Sequence, residues 1–104
     1  MQTVIIAIGH GPNSKGQYPP INYSSRLANV IVASGYDIVA RIDGESSSNW
    51  GTEDATWFSV VGINAESVAY TTRLDLLKSN VQSIRRWAGQ DAIGIVVNGE
   101  YNEI

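Results

Sequence analysis

The apolar residues of this chain fall into three largely continuous runs. They are rich in Val, Ile and Ala and occupy residues 2–8, 36–42 and 91–97. A continuous apolar run of this length is typical of a strand that is buried on both faces, as in a parallel sheet. The pattern therefore predicts three buried strands.

Two segments between these runs repeat their apolar residues at spacings of three and four, which predicts helices. The first helix carries Leu27, Val30 and Ile31 on one face and ends at Gly35, a residue type that commonly terminates helices. The second helix is longer and ends at Gly89. Its apolar stripe consists of Leu74, Leu77, Val81, Ile84 and Trp87.

A section at about residues 44–71 interrupts this alternation and is rich in aromatic residues. Its first part, residues 44–54, is rich in Ser and Gly and predicts a surface loop. Residues 56–61 and 65–71 are rich in Val, Thr, Trp, Phe and Tyr, which favours two short strands. We therefore treat this section as an aromatic-rich insertion.

The elements follow the order β-α-β-(β-β)-α-β in a single domain of residues 1–104, with residues 98–104 as a polar tail. Two architectures accommodate this order: a three-layer α/β sandwich with helices on both faces of the sheet, and a ferredoxin-like β-α-β-β-α-β arrangement. The continuous apolar runs favour parallel strands that are covered on both faces. We therefore predict a small three-layer α/β sandwich with a mainly parallel sheet.

Composition and charge narrow the classes of function. The chain has no cysteine, which excludes disulfides, thiolate catalysis and cysteine-ligated zinc. Seven basic and ten acidic residues give a net charge of -3, which argues against a nucleic-acid partner. No segment approaches the roughly 20 apolar residues of a membrane span, and the N-terminus lacks the basic region of a signal peptide. We expect a soluble protein, cytoplasmic or virion-associated, with no membrane partner.

The single histidine, His10, directly follows the first apolar run in the sequence Gly-His-Gly. In a parallel sheet the carboxyl ends of the strands share one edge, where α/β proteins bind ligands. That edge would also carry Asp43, Glu45 and Glu100. His10, Asp43 and Glu45 are therefore candidate zinc ligands. As a second hypothesis, His10 acts as a general base oriented by Asp43 or Glu45, with Glu100 as a further candidate catalytic residue. A histidine that only supports the strand end is the structural alternative.

Two further groups of residues are candidate binding surfaces. Trp50, Trp57 and Tyr70, if exposed together, would form a sugar-stacking or protein-binding surface, although such residues commonly belong to the core. The loop after the first run carries Asn13 and Lys15, which could bind a small anion. That loop lacks the spacing of a dinucleotide- or phosphate-binding motif.

Four segments together resemble the zinc-dependent N-acetylmuramoyl-L-alanine amidases of cell-wall hydrolysis. They are the Gly-His-Gly at 9–11 and residues 39–43, 73–80 and 91–98. The resemblance implies that His10 matches the family's first zinc ligand, that the second, a glutamate, has no match, and that the third falls on Val96 or Val97. A second resemblance, to small metal-inserting chelatases of tetrapyrrole synthesis, ranks lower because their further metal-site histidines have no match.

We therefore expect a non-catalytic binding or assembly module of amidase-like ancestry, for example a viral structural or accessory subunit. Such a module binds a protein partner or copies of itself and needs no cofactor. The alternative is a zinc-dependent hydrolase that acts on peptidoglycan fragments through His10. Convergence of His10 with Asp43, Glu45 or Glu100 within about 5 Å would support the hydrolase, because metal ligands require direct contact.

Overall fold

The structure is a computed structural model that describes residues 3–48, 51–62 and 70–104, with the backbone alone at positions 48, 70 and 71. The described chain contains five strands and two helices. In chain order they are β1 (Thr3–Gly9), α1 (Tyr23–Ala33), β2 (Tyr36–Ser48), β3 (Gly51–Gly62), α2 (Tyr70–Trp87), β4 (Gly94–Val97) and β5 (Glu100–Glu103).

The five strands form one sheet in the order β2-β3-β1-β4-β5, in which every neighbouring pair is antiparallel. Strand β3 lies between β1 and β2, and β1 lies between β3 and β4, so each helix connects two strands that are not neighbours. This is a split βαβ, or ferredoxin-like, arrangement with β5 added at one edge. The predicted mainly parallel, three-layer sandwich is therefore wrong.

The burial of side chains along β1 explains why its continuous apolar run wrongly predicted a sheet with helices on both faces. Val4, Ile6 and Ile8 are fully buried beneath the helices, whereas Ile5 and Ala7 are only partly buried on the opposite face. We call these the covered face and the open face of the sheet. Both faces of this central strand are apolar although helices cover only one, because apolar side chains are also common at protein surfaces. A continuous run therefore does not require two covering layers.

The hydrophobic core lies between the covered face and the two helices, which pack against each other. The predicted helical stripes are confirmed, since both helices form and Leu27, Ile31, Leu77 and Val81 are fully buried. Trp87 is the exception: it is 42% exposed, with the Arg26 guanidinium 4.7 Å from its ring centroid. Neither described helix is long and apolar enough to cross a membrane.

The segment predicted as a surface loop, residues 44–54, instead belongs to a long hairpin where it is described. Strands β2 and β3 pair continuously from Tyr36 opposite Gly62 to Ser48 opposite Gly51, apart from one irregularity near Ile38. A Ser-rich composition does not prevent this pairing, because the backbone makes the hydrogen bonds of a ladder. The predicted strand at 65–71 falls mostly outside the described residues, and its last two residues belong to α2.

The predicted polar tail also contains a strand. Strand β5 pairs with β4 through a two-residue turn at Asn98 and Gly99, whose φ angles are 54° and 77°. Positive φ at both positions defines the hairpin turn for which Asn-Gly is the preferred sequence. The Asn-Gly pair was therefore a readable signal for this hairpin.

Candidate functional site

The Gly-His-Gly segment at the end of β1 has different neighbours on the two sides of the sheet. Side chains alternate between the faces of a strand, so His10 lies on the same side as Ile8, and Gly9 and Gly11 belong to the open side. The His10 ring packs edge-on against Tyr23 of α1, with ring centroids 6.4 Å apart, which places it on the covered side.

On the covered side, His10 begins a chain of hydrogen bonds that ends at the surface. The Thr56 hydroxyl donates to Asp43 Oδ1 at 2.7 Å, and Arg41 Nε donates to the same oxygen at 3.2 Å. His10 Nε2 lies 2.8 Å from Thr56 Oγ1. Because Thr56 has a single hydroxyl proton and directs it to Asp43, His10 must donate in this contact. The imidazole therefore carries a proton on Nε2.

The Thr56 hydrogen bond, assisted by Arg41 and opposed by some desolvation, lowers the pKa of Asp43. The carboxylate is thus ionised at neutral pH and is linked to His10 through the Thr56 hydroxyl. Glu45 lines a pocket on the covered side together with His10 and Asp43, and this pocket has a volume of about 440 Å³. Glu100 lies apart from it, exposed on β5.

The predicted zinc ligands do not form a metal site in the described chain. His10, Asp43 and Glu45 line one pocket, but no three His, Asp or Glu side chains among the described residues lie close enough together to hold a metal ion. The hydrogen-bond partner of His10 Nε2 is the Thr56 hydroxyl, which is itself hydrogen bonded to Asp43.

On the open side, Glu53 occupies the space that the two glycines leave. A β carbon at either Gly9 or Gly11 would collide with the Glu53 carboxylate. The absence of side chains at both positions therefore lets this carboxylate lie against the backbone at the end of the central strand. Glu53 was not among the residues that sequence reasoning selected.

Glu53 belongs to a pocket of about 400 Å³, which we call the open-face pocket. It combines aromatic rings and carboxylates over a strand floor that contains Gly9 and Gly94. A β carbon at Gly94 would lie 2.7 Å from the Tyr101 ring, so this glycine allows the ring to pack on the sheet. The side chains that give the pocket its chemical character are Glu53, Trp57, Tyr101 and Glu103.

Partial burial, and then the charge of Glu103, raise the pKa of Tyr101 above its usual value. The Tyr101 hydroxyl is therefore protonated at neutral pH and can donate a hydrogen bond into the open-face pocket.

The loop after β1 forms one wall of the open-face pocket and is fastened to the α2–β4 connection. Asn13 Nδ2 donates to Gly89 O at 2.6 Å, and the Asp91 carboxylate accepts from Ser14 N at 2.7 Å and from Ser14 Oγ at 3.2 Å. Asn13 Oδ1 also accepts from the backbone of Lys15, at 2.9 Å. Asn13 therefore organises the loop.

The predicted aromatic surface is only partly described. Trp57 lies half-buried on the open face, whereas Trp50 and the side chain of Tyr70 lie outside the described part of the chain. Lys15 belongs to the fastened loop, and its side chain is exposed.

The described chain is a small α/β protein with helices on one face of a split βαβ sheet and the open-face pocket on the other. Two solved structures share this fold over 99% of the chain. One is a phage SAM (S-adenosylmethionine) lyase in its apo state, with a TM-score of 0.59, 13% identity and 87% of that chain covered. The other is a phage SAM lyase in complex with S-methyl-5′-thioadenosine, with a TM-score of 0.64, 11% identity and 88% of that chain covered. At these identities the likeness shows the fold alone.

No protein-family model matches the sequence, and no curated protein is similar enough to count as a match. The amidase resemblance is therefore wrong: the structural neighbours are a SAM lyase, and no sequence family supports an amidase. A Gly-His-Gly after an apolar strand is too short a motif to identify a family.

The functions that we inferred from the amidase resemblance are therefore wrong as well. They are the non-catalytic module of amidase-like ancestry, the viral structural subunit and the zinc-dependent peptidoglycan hydrolase acting through His10. These two structures are those of an enzyme, which conflicts with the expectation of a non-catalytic protein. The expectations of a protein partner or self-association, and of no resident cofactor, stay predictions.

Proposed function

We propose that this chain binds S-adenosylmethionine in the open-face pocket and cleaves it as a lyase, releasing S-methyl-5′-thioadenosine. The observation that carries this proposal is the fold shared with a SAM lyase that was solved with S-methyl-5′-thioadenosine. The chemistry of the open-face pocket supports it independently.

S-adenosylmethionine presents a sulfonium cation next to a flat adenine ring, and the pocket offers groups that suit both. Trp57 and Tyr101 provide aromatic faces on which a base can stack. The Glu53 and Glu103 carboxylates attract a cation, as aromatic faces also do. The pocket volume of about 400 Å³ lies within the usual range for small-molecule sites.

We assign Glu53 to the sulfonium because Gly9 and Gly11 let its carboxylate reach the floor of the pocket. In the lyase reaction the bond between sulfur and the γ carbon of the four-carbon amino-acid portion breaks, and sulfur keeps the electron pair. The four-carbon fragment balances its charge either by losing a proton from its β carbon to the solvent, which forms a double bond, or by closing on its own carboxylate, so no water or oxidant is consumed. The product thioether is neutral and loses its attraction to Glu53, which favours release.

The test is a cleavage assay with the native chain, Glu53→Gln and a matched control, Asp75→Asn. Asp75 is an exposed carboxylate on α2 outside the open-face pocket. Chromatography follows the appearance of S-methyl-5′-thioadenosine. We expect Glu53→Gln to lower kcat/KM at least roughly tenfold, because a charge-assisted contact to the sulfonium is lost. Asp75→Asn should have the same kcat/KM as the native chain.

Calorimetry with S-methyl-5′-thioadenosine separates loss of charge from loss of structure. The neutral product should bind Glu53→Gln within about twofold of its affinity for the native chain, because the variant keeps the shape of the pocket. No cleavage by the native chain, or equal activity in Glu53→Gln, would contradict the proposal.

A further inference from the structure

A further pocket, of about 300 Å³, lies behind the wall of the open-face pocket and has a basic lining. Lys15 comes from the loop after β1, and Arg85 and Arg86 come from the last turn of α2. Among its described lining residues only Asp91 is acidic. We call it the basic pocket. The residues that it shares with the open-face pocket are Asn13, Gln90 and Asp91.

Two buried hydrogen-bond donors on the residues of this pocket have no acceptor in the described chain. They are Arg85 Nε and Gln90 Nε2. Arg85 Nη1 donates to Gln90 O at 3.1 Å, which holds the guanidinium in place without using Nε. Buried N–H groups without an acceptor are rare in folded proteins, so these two donors point to an acceptor that the chain itself does not supply.

The groups that would repel an anion are already engaged. The Asp91 carboxylate accepts from Ser14 N and Ser14 Oγ, and Gly89 O accepts from Asn13 Nδ2. Three cationic side chains and one carboxylate line the pocket, which leaves an excess of two positive charges. Both the free donors and the charge favour a negatively charged ligand.

We infer that the basic pocket binds a small oxyanion, either a carboxylate or a phosphate group, through Arg85, Gln90 and Lys15. Guanidinium and ammonium groups form their strongest hydrogen bonds with such oxygens. Two sources supply this chemistry. One is the carboxylate of S-adenosylmethionine extending past the shared wall, which rests on the proposed function. The other is free inorganic phosphate, which does not.

Titration with inorganic phosphate at constant ionic strength, followed by backbone amide NMR shifts, tests the site directly. We expect saturable shifts confined to residues 13–17 and 85–91. Lys15→Glu should weaken phosphate binding by roughly tenfold, because it replaces an attractive charge with a repulsive one. Lys78→Glu makes the same change of charge on α2 outside the pocket and should change the affinity less than about twofold.

Arg85→Lys separates hydrogen bonding from charge. It keeps the positive charge but removes the Nε donor, and it should also weaken phosphate binding severalfold, since lysine lacks the fixed fork of arginine. Urea unfolding of each variant checks that the fold is retained. No saturable shifts in the native chain, or equal weakening in Lys15→Glu and Lys78→Glu, would overturn the inference.

The two sources are distinguished by the effect of Lys15→Glu on adenosyl ligands. A raised KM for S-adenosylmethionine, with unchanged affinity for S-methyl-5′-thioadenosine, assigns the oxyanion to the substrate carboxylate, which the product lacks. Lost phosphate binding with an unchanged KM assigns the site to free phosphate. The phosphate titration needs no cleavage activity, so it decides the site even if the lyase proposal fails.

Discussion

The central strand β1 is apolar on both faces, yet the two faces of the sheet carry different parts of the molecule. On the covered face Ile6 and Phe58 are 0% and 1% exposed beneath the helices, whereas on the open face Ile42 and Tyr101 are 63% and 59% exposed. The covered face holds the hydrophobic core, and the open face holds the pocket with Glu53 and Trp57. The position of the helices, more than residue type, decides which face stabilises the fold and which is free to bind.

The Gly-His-Gly segment shows the same division within three residues. His10 lies on the covered side and is hydrogen bonded to Thr56, which in turn contacts Asp43. Gly9 and Gly11 make room for the Glu53 carboxylate on the other side. The histidine attracts attention in the sequence, but its glycine neighbours have the closer connection to the proposed site.

The largest expected difference between the faces is in stability. Ile6→Ala should lower the free energy of unfolding by about 2–5 kcal/mol, because it leaves a cavity in the core. Ile42→Ala should cost less than about 1 kcal/mol, since the side chain is mostly exposed. Urea unfolding monitored by circular dichroism measures both. Ile6→Val, expected to cost about 0.5–1.5 kcal/mol, replaces the alanine variant if that fails to fold. Equal losses of unfolding free energy in Ile6→Ala and Ile42→Ala would contradict the conclusion that only the covered face stabilises the fold.

Gly11→Ala should separate activity from stability on the open face. The new β carbon displaces the Glu53 carboxylate, which is the far end of a flexible side chain, and lies 3.3 Å from Glu53 Cβ, a close contact. The free energy of unfolding should therefore fall by only about 1 kcal/mol. Cleavage of S-adenosylmethionine should fall about tenfold, as in Glu53→Gln.

The control for Gly11→Ala is its combination with Glu53→Ala. If the glycine acts by making room for Glu53, adding Gly11→Ala to Glu53→Ala should cause no further loss of activity. Additive losses would show that Gly11 matters for another reason.

The smallest expected effect concerns acid sensitivity on the covered side. The Thr56 hydrogen bond lowers the pKa of Asp43 in the folded chain. The stability that this hydrogen bond contributes is therefore fully present at pH values above the pKa of Asp43 in the unfolded chain, which is about 3.9. It is lost as the pH falls through the lowered pKa of Asp43 in the folded chain. Thr56→Val keeps the volume but removes the hydroxyl, so the pKa of Asp43 should rise. Carbon NMR of the carboxyl group follows this titration.

Thr52→Val is the matched control, because Thr52 is an exposed threonine of the same strand. It should leave the titration of Asp43 unchanged. An unchanged pKa of Asp43 in Thr56→Val would mean that the hydroxyl does not hold the carboxylate in its ionised form.

Local patterns predicted the elements of this fold better than their arrangement. The helical stripes around Leu27 and Leu77 were readable because their spacing directly specifies one buried side. The direction of the strands could not be read from the sequence, because an apolar run such as residues 3–9 has the same pattern in a parallel sheet and at the centre of an antiparallel sheet. Strand β5 was missed although the turn at Asn98 and Gly99 carried a signal for it.

The proposed site was harder to predict, because it depends on strand register. Glu53 reaches the glycines only because Gly9 pairs with Ala55, a partner far away in the sequence. No local motif marks such a pairing, whereas the single histidine was conspicuous by its rarity. Sequence reasoning therefore selected the same strand end as the proposed site, but it placed the candidate chemistry on His10, which lies on the covered side of the sheet.

The most direct test of this account is to map where S-methyl-5′-thioadenosine binds, by titrating it against the isotopically labelled chain and following amide shifts. We predict saturable shifts at Gly9, Gly11 and residues 53–57 and around Tyr101, with little change in residues 41–45. Shifts confined instead to residues 41–45 and α1 would place the ligand on the covered side and contradict the assignment of the site to the open face.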